Sequence, residues 1–128
     1  PLLQQTTINN MPVNLAESEK PVLVHFWATW CPVCSIEQGS IQSISQDYNV
    51  ISIALSSGNK QELKQFMKDE KLDFPVIADE QGDIASQWQV TGVPSSFIIA
   101  PDGKIAFVEV GYTSEIGLRA RLWWSQLD

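Results

Sequence analysis

Short apolar segments alternate with helical patterns along most of this chain, and this alternation limits the folds that it can adopt. Residues 22–26, 50–55 and 75–78 have the length and apolar composition of buried strands, and a helical pattern follows each one. Residues 96–100 and 104–110 flank a Pro-Asp-Gly turn and predict an antiparallel hairpin. Strands that alternate with helices form a sheet with helices packed on its faces. We therefore predict an α/β three-layer sandwich with a central mixed β-sheet flanked by helices.

Each helical pattern places apolar side chains on one stripe, which is expected to face the sheet. The third helix is short and spans about residues 84–88, and the last begins near Ser114. The predicted buried stripes are Ile36, Ser40, Ile41, Ile44 and Tyr48 in the first helix, Leu63, Phe66 and Met67 in the second, and Ile116, Ala120, Trp123 and Leu127 in the last.

The composition fits one globular domain. Of the 128 residues, 44% are apolar, and a chain of this size can bury about two thirds of its unfolded surface. Two cysteines are too few for a disulfide-rich scaffold. We predict a single domain over residues 1–128 with no cofactor. Because the chain begins with Pro1 and not with Met, we expect that a signal peptide or membrane anchor precedes it in the natural protein.

The charge balance restricts the possible partners. Eight Lys and Arg residues stand against fifteen Asp and Glu residues, so the net charge is −7. An acidic surface repels phosphate backbones, and we therefore exclude nucleic acid as a partner. The sequence also contains no apolar run of the roughly 18 to 20 residues that span a bilayer.

The sequence Cys31-Pro32-Val33-Cys34 is the element that carries chemistry. Pro32 suits the first turn of a helix, where its missing N–H costs nothing. Residues i and i+3 of such a turn lie about 5 to 6 Å apart, within the range that a disulfide spans. Cys31 lies at the positive end of the helix dipole, which favours the thiolate. We therefore expect Cys31 to be the nucleophile and Cys34, deeper in the turn, to be the resolving thiol.

A cysteine pair also has other uses. A structural zinc site needs four ligands, whereas the chain offers two Cys and one His. A structural disulfide that closes so short a loop would stabilise the fold little. Two thiolates can hold Cu(I), so a Cu(I)-binding module is the alternative function. The remote positions of Met11 and Met67 weaken that alternative, and we predict no metal site.

Residues 26–34, Phe-Trp-Ala-Thr-Trp-Cys-Pro-Val-Cys, and the later Gly92-Val93-Pro94 resemble the thioredoxin-like superfamily. The resemblance implies thiol-disulfide exchange with protein clients and a cis Val93–Pro94 bond that faces the cysteine pair. The Val93 backbone would then offer an edge to an extended client segment. Trp30 is expected to form part of an apolar docking rim. The predicted substrate-binding residues are Trp30, Pro32, Val33, Val93 and Pro94.

Within the superfamily the chain resembles the exported, often membrane-tethered group that includes TlpA, ResA, the cytochrome c maturation thioredoxins and the suppressor-of-copper-sensitivity thioredoxin-like protein. The shared features are Glu37, a strand-helix insertion at residues 74–89, and the pattern of residues 92–105. This resemblance implies a periplasmic or otherwise exported protein, tethered to the inner membrane. We also expect a monomer. The resemblance also favours a reductant of client proteins that a membrane electron-transfer partner keeps reduced, whereas the copper resemblance points to a copper-resistance factor.

His25 and Glu37 are the candidate acid-base residues. His25 lies six residues before Cys31, where thioredoxins carry a buried Asp that assists proton transfer to the resolving thiol. An imidazole there could relay protons or, if charged, favour a thiolate, and equally it could be a neutral core residue without a catalytic role. Glu37 follows Cys34 by one helical turn, so it is either a second acid-base group or a solvated carboxylate.

A peroxiredoxin-like peroxidase on the same fold is a third and weaker hypothesis. Its motif would place Thr or Ser, two residues and then the Cys after the first strand, with an Arg nearby. Thr29 lies one residue too close to Cys31, and both arginines, Arg119 and Arg121, belong to the last predicted helix.

Overall fold

A computed structural model describes residues 6–13 and 20–127, and the remaining residues lie outside the described part. Strands alternate with helices in the described part up to a final pair of consecutive strands, as the sequence predicts. None of the helices in this part is both long enough and apolar enough to cross a bilayer. The elements are β1 (Val22–Trp27), α1 (Pro32–Ile44), β2 (Asn49–Leu55), α2 (Lys60–Asp69), β3 (Val76–Asp79), α3 (Asp83–Gln87), β4 (Ser95–Ile99), β5 (Ile105–Val110) and α4 (Glu115–Ser125).

The strands form one mixed sheet in the order β3-β2-β1-β4-β5. β1 pairs in parallel with β2, which pairs in parallel with β3, whereas β4 runs antiparallel to both β1 and β5. The predicted α/β class with a central mixed sheet is thereby confirmed. β3 and α3 lie within the strand-helix segment predicted at residues 74–89.

Helices cover both faces of the sheet. On one face, side chains of α1, α2 and α4 form a single cluster with sheet residues such as Leu23 and Ile98. On the other face, α3 and the residue after it, Trp88, pack against Phe26 and Phe97, with the Trp88 and Phe97 ring centres 5.0 Å apart. The result is the predicted three-layer sandwich.

The central strand β1 carries the polar residue that matters for the site. All six of its side chains are buried, as expected for a strand with a neighbour on each side and helices on both faces. His25 pairs in register with Ser52 of β2 and with Ser96 of β4. A row of polar side chains therefore crosses an otherwise apolar sheet on the face that α1 covers.

The predicted stripe is wrong in α4, and in α1 it is wrong at Ile36, whereas Ile41 and Ile44 are buried as predicted. In α1 the side chain of Ile36 is 72% exposed, and the buried residues include Cys34, Glu37 and Ile41. In α4 the buried residues are Leu118 and Leu122, whereas Ile116 is 81% exposed. Successive residues turn by about 100° around a helix, so apolar residues on two sides make two candidate stripes. Packing against the neighbouring elements selects between them.

Candidate active site

The cysteine pair lies where the chain passes from β1 into α1. Cys31 is the N-cap residue of α1, and Pro32 is the first residue of the helix. An N-cap side chain accepts a hydrogen bond from an unpaired N–H of the first turn, and here Cys31 Sγ accepts the Cys34 N–H at 3.2 Å. This contact and the helix dipole both stabilise negative charge on the sulfur. Both cysteines are buried free thiols.

The loop before β4 faces the nucleophile. The Val93–Pro94 peptide bond is cis, and the thiol of Cys31 donates to the Val93 carbonyl with an S to O distance of 3.7 Å. The Pro94 carbonyl accepts the Gly111 N–H at 2.8 Å, which ties this loop to the segment after β5. The fold thus brings Val93 and Cys31 together, although 62 residues separate them in the chain.

Cys34 is held as a protonated thiol. It is completely buried, and burial is the main cause that raises its pKa to about 12, with a further contribution from its side-chain hydrogen bond to Cys31. Negative charge on Glu37 acts in the same direction. At neutral pH the Cys34 thiol therefore keeps its proton, and it can attack another sulfur only if a base takes that proton.

Glu37 is fully buried beneath the helix, so the alternative of a solvated carboxylate is wrong. Loss of solvation raises its pKa to about 7, and the Thr113 backbone N–H partly opposes this rise. The Thr113 N–H does not reach hydrogen-bond geometry, and within the described residues neither carboxylate oxygen has a hydrogen-bond partner. Glu37 is therefore a carboxyl group that can gain or lose a proton near neutral pH.

His25 contacts Ser96 and Glu37. Its Nδ1 atom lies 2.9 Å from Ser96 Oγ, within hydrogen-bond distance, and 3.9 Å from Glu37 Oε1. Burial lowers the pKa of His25 to about 3, so the imidazole is neutral at pH 7. The hypothesis that a charged imidazole favours a thiolate is therefore wrong, and any effect of His25 on proton transfer has to come from the neutral ring.

The predicted docking rim lies at the surface beside Cys31. Trp30 is 59% exposed and Val33 is 40% exposed, and Pro32 is also exposed. The Trp30 indole Nε1–H donates to the Ser56 carbonyl at 3.0 Å, which holds the ring against the loop after β2. The rim thus presents an apolar surface next to a buried nucleophile.

Sequence reasoning missed Ser96, Ser52 and Thr113. Ser96 is the hydrogen-bond partner of His25, Ser52 lies beside His25 in the sheet and donates to the Pro75 carbonyl, and Thr113 lies next to Glu37. For Ser52 the available signal was a single polar residue inside an apolar strand, whereas Ser96 follows Ser95 at the start of its strand and gave no such signal. For Thr113 the chain holds no local signal, because its backbone rather than its side chain makes the contact.

The described residues contain no group of three or more His, Cys, Asp or Glu side chains that could hold a metal ion. Met67 is buried in the core, and Met11 is exposed far from the pair in sequence. A Cu(I) ion would therefore be bound by the thiolates of Cys31 and Cys34 in the alternative function.

The chain is similar in sequence to a known family and to several thiol-disulfide oxidoreductases. The model of the AhpC/TSA family matches residues 1–108. A thioredoxin-like protein of Haemophilus influenzae is 31% identical over 125 residues, which cover 97% of this chain and 74% of that protein. Sporulation thiol-disulfide oxidoreductase A of Bacillus subtilis is 28% identical over 82% of this chain and 68% of its own length. Thiol-disulfide oxidoreductase ResA of Oceanobacillus iheyensis is also 28% identical, over 81% of this chain but only 57% of its own length.

Solved structures show the same arrangement of elements. The crystal structure of StoA from Bacillus subtilis superimposes with a TM-score of 0.81 at 25% identity, over 94% of this chain and 96% of that one. A secreted thiol-disulfide isomerase of Corynebacterium glutamicum has a TM-score of 0.85 at 19% identity, over 100% of this chain and 85% of that one. At 19% identity, the similarity to this isomerase shows the fold alone.

Proposed function

The chain belongs to the AhpC/TSA family, adopts a thioredoxin-like fold and is a thiol-disulfide oxidoreductase, and from this premise we propose that it reduces disulfide bonds in client proteins. The position of Cys31 Sγ carries the proposal. This atom accepts the Cys34 N–H at 3.2 Å and lies 3.7 Å from the Val93 carbonyl oxygen. A nucleophilic sulfur there can attack a disulfide that lies along the Val93 backbone edge.

In the first step the Cys31 thiolate attacks one sulfur of the client disulfide. A bond forms between Cys31 Sγ and that sulfur, and the client S–S bond breaks. The other client sulfur leaves as a thiolate and takes a proton from solvent. Trp30 and Val33 contact the client at this stage because both are exposed beside the nucleophile.

In the second step Cys34 resolves the mixed disulfide. The Glu37 carboxylate takes the proton of the Cys34 thiol, and the resulting thiolate attacks the Cys31 sulfur. The second client sulfur leaves and takes the proton from Glu37. Two electrons pass from the Cys31–Cys34 pair to the client, and the pair ends as a disulfide. Glu37 suits this role because its pKa of about 7 leaves it half ionised near neutral pH.

His25 acts on this chemistry through Glu37. The neutral ring is held by Ser96 at 2.9 Å and lies 3.9 Å from the Glu37 carboxylate. His25 is therefore a positioning residue, which orients the carboxyl group that serves Cys34.

The reducing direction needs a source of two electrons after each cycle. A membrane thiol-disulfide partner supplies them in this proposal, and the chain works outside the cytoplasm as a tethered monomer. The resemblance of Glu37 and of residues 92–105 to the exported, membrane-tethered group supports these points.

A redox titration tests the proposal. Purified protein equilibrated in glutathione buffers should interconvert between dithiol and disulfide, with a reduction potential more negative than about −180 mV, in the range of reducing members of the fold. Cys31→Ser should abolish reduction of a client protein, whereas Cys34→Ser should accumulate a mixed disulfide through Cys31. An active Cys31→Ser variant would overturn the proposal.

A Cu(I) competition in the same preparations addresses the alternative function. A carrier would hold one Cu(I) per chain against a chelator and would show no disulfide turnover. The proposed reductant shows turnover without added copper.

A further inference from the structure

A tight turn leads the chain from β1 to the nucleophile. The Cys31 N–H donates to the Ala28 carbonyl at 3.3 Å, and this bond closes a turn over Thr29 and Trp30. Cys31 is the N-cap of α1 in an extended conformation, with φ of −100° and ψ of 114°. The direction of an N-cap side chain depends on how the chain enters the helix. The turn therefore sets where Cys31 Sγ lies relative to the Cys34 N–H.

The loop after β2 holds both central residues of that turn. The Thr29 N–H donates to Ser57 Oγ at 2.9 Å, and the Trp30 indole Nε1–H donates to the Ser56 carbonyl at 3.0 Å. The two contacts join residues that are 28 and 26 positions apart in the chain. Two consecutive residues of one loop thus fix two consecutive residues of the turn before the nucleophile.

Ser57 is itself held in place by the loop. Its hydroxyl donates to the Leu55 carbonyl at 2.9 Å while its oxygen accepts from the turn, so the group is used both as donor and as acceptor. The Ser56 N–H donates to the Asp79 carbonyl at 2.9 Å, and Asn59 caps α2 at the other end of the loop. The loop is therefore anchored to β3 and to α2.

The backbone of Ser56 is strained, and core packing does not explain the strain. Its φ angle is +47°, in the left-handed region that residues with a side chain rarely adopt. The side chain of Ser56 is exposed, so its burial does not offset the cost of this conformation. Such strain occurs at functional sites, where the surrounding contacts impose it. Here the strained residue presents its carbonyl to Trp30.

We propose that Ser57 is a positioning residue for the nucleophile. Its hydroxyl fixes the backbone of Thr29 and thereby keeps Cys31 Sγ at 3.2 Å from the Cys34 nitrogen. A thiolate at this N-cap gains from the Cys34 N–H and from the helix dipole, so displacement of the turn makes the thiolate less stable. This inference rests on the proposed function, in which Cys31 attacks the client, and adds a residue that controls its reactivity.

Ser57 acts through the backbone and not through charge. Residues 55–59 contain no ionisable side chain, and neither do residues 90–95, which hold the Val93 carbonyl near Cys31. The ionisable groups around the cysteine pair lie on other elements and include Glu37 of α1 and His25 of β1. Removal of the Ser57 hydroxyl leaves the charge of the site unchanged. A change in the reactivity of Cys31 then has to come from its position.

Alkylation of Cys31 by iodoacetamide tests the proposal without a client protein. The rate is measured on the reduced protein as a function of pH, and tandem mass spectrometry assigns the label to Cys31. Ser57→Ala should react about fivefold more slowly at pH 7, the factor that one hydrogen bond contributes, and its pH profile should move to higher pH. Ser57→Thr keeps the hydroxyl and should retain the wild-type profile. Ser57→Val has the shape of Thr without the hydroxyl and should behave like Ser57→Ala.

Ser125→Ala is the matched control for the loss of a hydroxyl. The Ser125 hydroxyl also donates to a backbone carbonyl, that of Leu122 at 2.9 Å, but within α4. Urea unfolding should show a similar small loss of stability for Ser57→Ala and Ser125→Ala, whereas only the Ser57 variant should change the alkylation profile. If Ser57→Ala and Ser57→Val keep the wild-type profile, or Ser125→Ala shifts it equally, the proposal is wrong.

The remaining outcomes are also decisive. If Ser57→Thr loses as much reactivity as Ser57→Val, the effect comes from side-chain shape, and a role of the hydroxyl is excluded. If Ser57→Ala does not fold, the Thr and Val variants decide, because they differ only in a hydroxyl and a methyl group. A wild-type protein that fails the redox titration but shows the expected alkylation profiles would overturn the proposed function while still supporting the role of Ser57.

Discussion

His25 Nδ1 lies 3.9 Å from Glu37 Oε1 in the sealed layer between β1 and α1. Burial affects the two groups in opposite ways, because it disfavours the charged form of each. It lowers the pKa of His25 to about 3 and raises that of Glu37 to about 7. The pair is therefore uncharged at mildly acidic pH and acquires one negative charge, on Glu37, as the pH rises through 7.

Removal of the Glu37 carboxylate should slow the resolving step. In Glu37→Gln no base remains for the Cys34 proton, and general-base catalysis contributes about 100-fold or more. Rapid mixing of the reduced protein with an activated disulfide at pH 7 should show a normal first phase and a second phase slowed about 100-fold. In the wild type this second phase should accelerate as the pH rises through about 7.

The exposed carboxylate of Glu70 offers the matched control, since Glu70→Gln should leave both phases unchanged. A Glu37→Gln variant whose second phase keeps the wild-type rate and pH profile would exclude Glu37 as the base.

The stability of Glu37→Gln relative to the wild type should depend on pH. The pKa of Glu37 is about 7 in the folded protein, above its ordinary value of 4.5, so between these values the folded protein binds more protons than the unfolded one. Wild-type stability is therefore lost as the pH rises through this window, by up to about 1.4 kcal/mol per pH unit from this group. Urea unfolding at pH 5 and 8 should show that Glu37→Gln gains relative stability at pH 8, and a constant difference would contradict the raised pKa.

His25 should make the stability depend on pH in the opposite direction. Its pKa is about 3 in the folded protein, below its ordinary value of 6.5, so the unfolded chain binds more protons between these values and stability falls as the pH falls below 6.5. His25→Asn keeps a polar group near Ser96 and should become more stable relative to the wild type as the pH drops from 7 to 4. The His25 imidazole resonances should not titrate between pH 5 and 8.

Comparison of His25→Asn with His25→Leu distinguishes a role of His25 in orienting Glu37 from a role in core packing. Leu cannot bond to Ser96 Oγ, so the resolving step should slow in His25→Leu and be largely retained in His25→Asn. Alkylation of Cys31 should keep its pH profile in both variants, and a shifted profile would show that His25 acts on the nucleophile directly.

Asp79 should be a purely structural carboxylate. It is buried at the end of β3, where its two oxygens accept the Ile84 N–H at 3.1 Å and the Ala85 N–H at 2.9 Å. Asp79→Ala leaves these donors without a partner and should cost about 2 to 3 kcal/mol in unfolding free energy. The exposed Asp69→Ala variant should cost far less, and the redox potential should be unchanged in both.

The sequence predicts the fold and the cysteine chemistry well because both depend on local signals. Strand length and apolar composition identify β1 and β2, and Pro32 between two cysteines marks the start of α1. It predicts side-chain exposure less well. Ile36 and Ile116 satisfy a helical apolar stripe, yet both face outward, because the stripe that packs is chosen by neighbours from distant parts of the chain.

By itself the sequence determined the order of strands and helices and the placement of Cys31 and Cys34 one helical turn apart, since backbone geometry over a few residues suffices for both. Only the tertiary structure decided that Glu37 is sealed from water and that His25 faces Ser96 across the sheet. Burial is a property of everything packed around a group. Because the cost of desolvating charge sets the protonation of both residues, their chemistry was decided by the fold and not by their spacing.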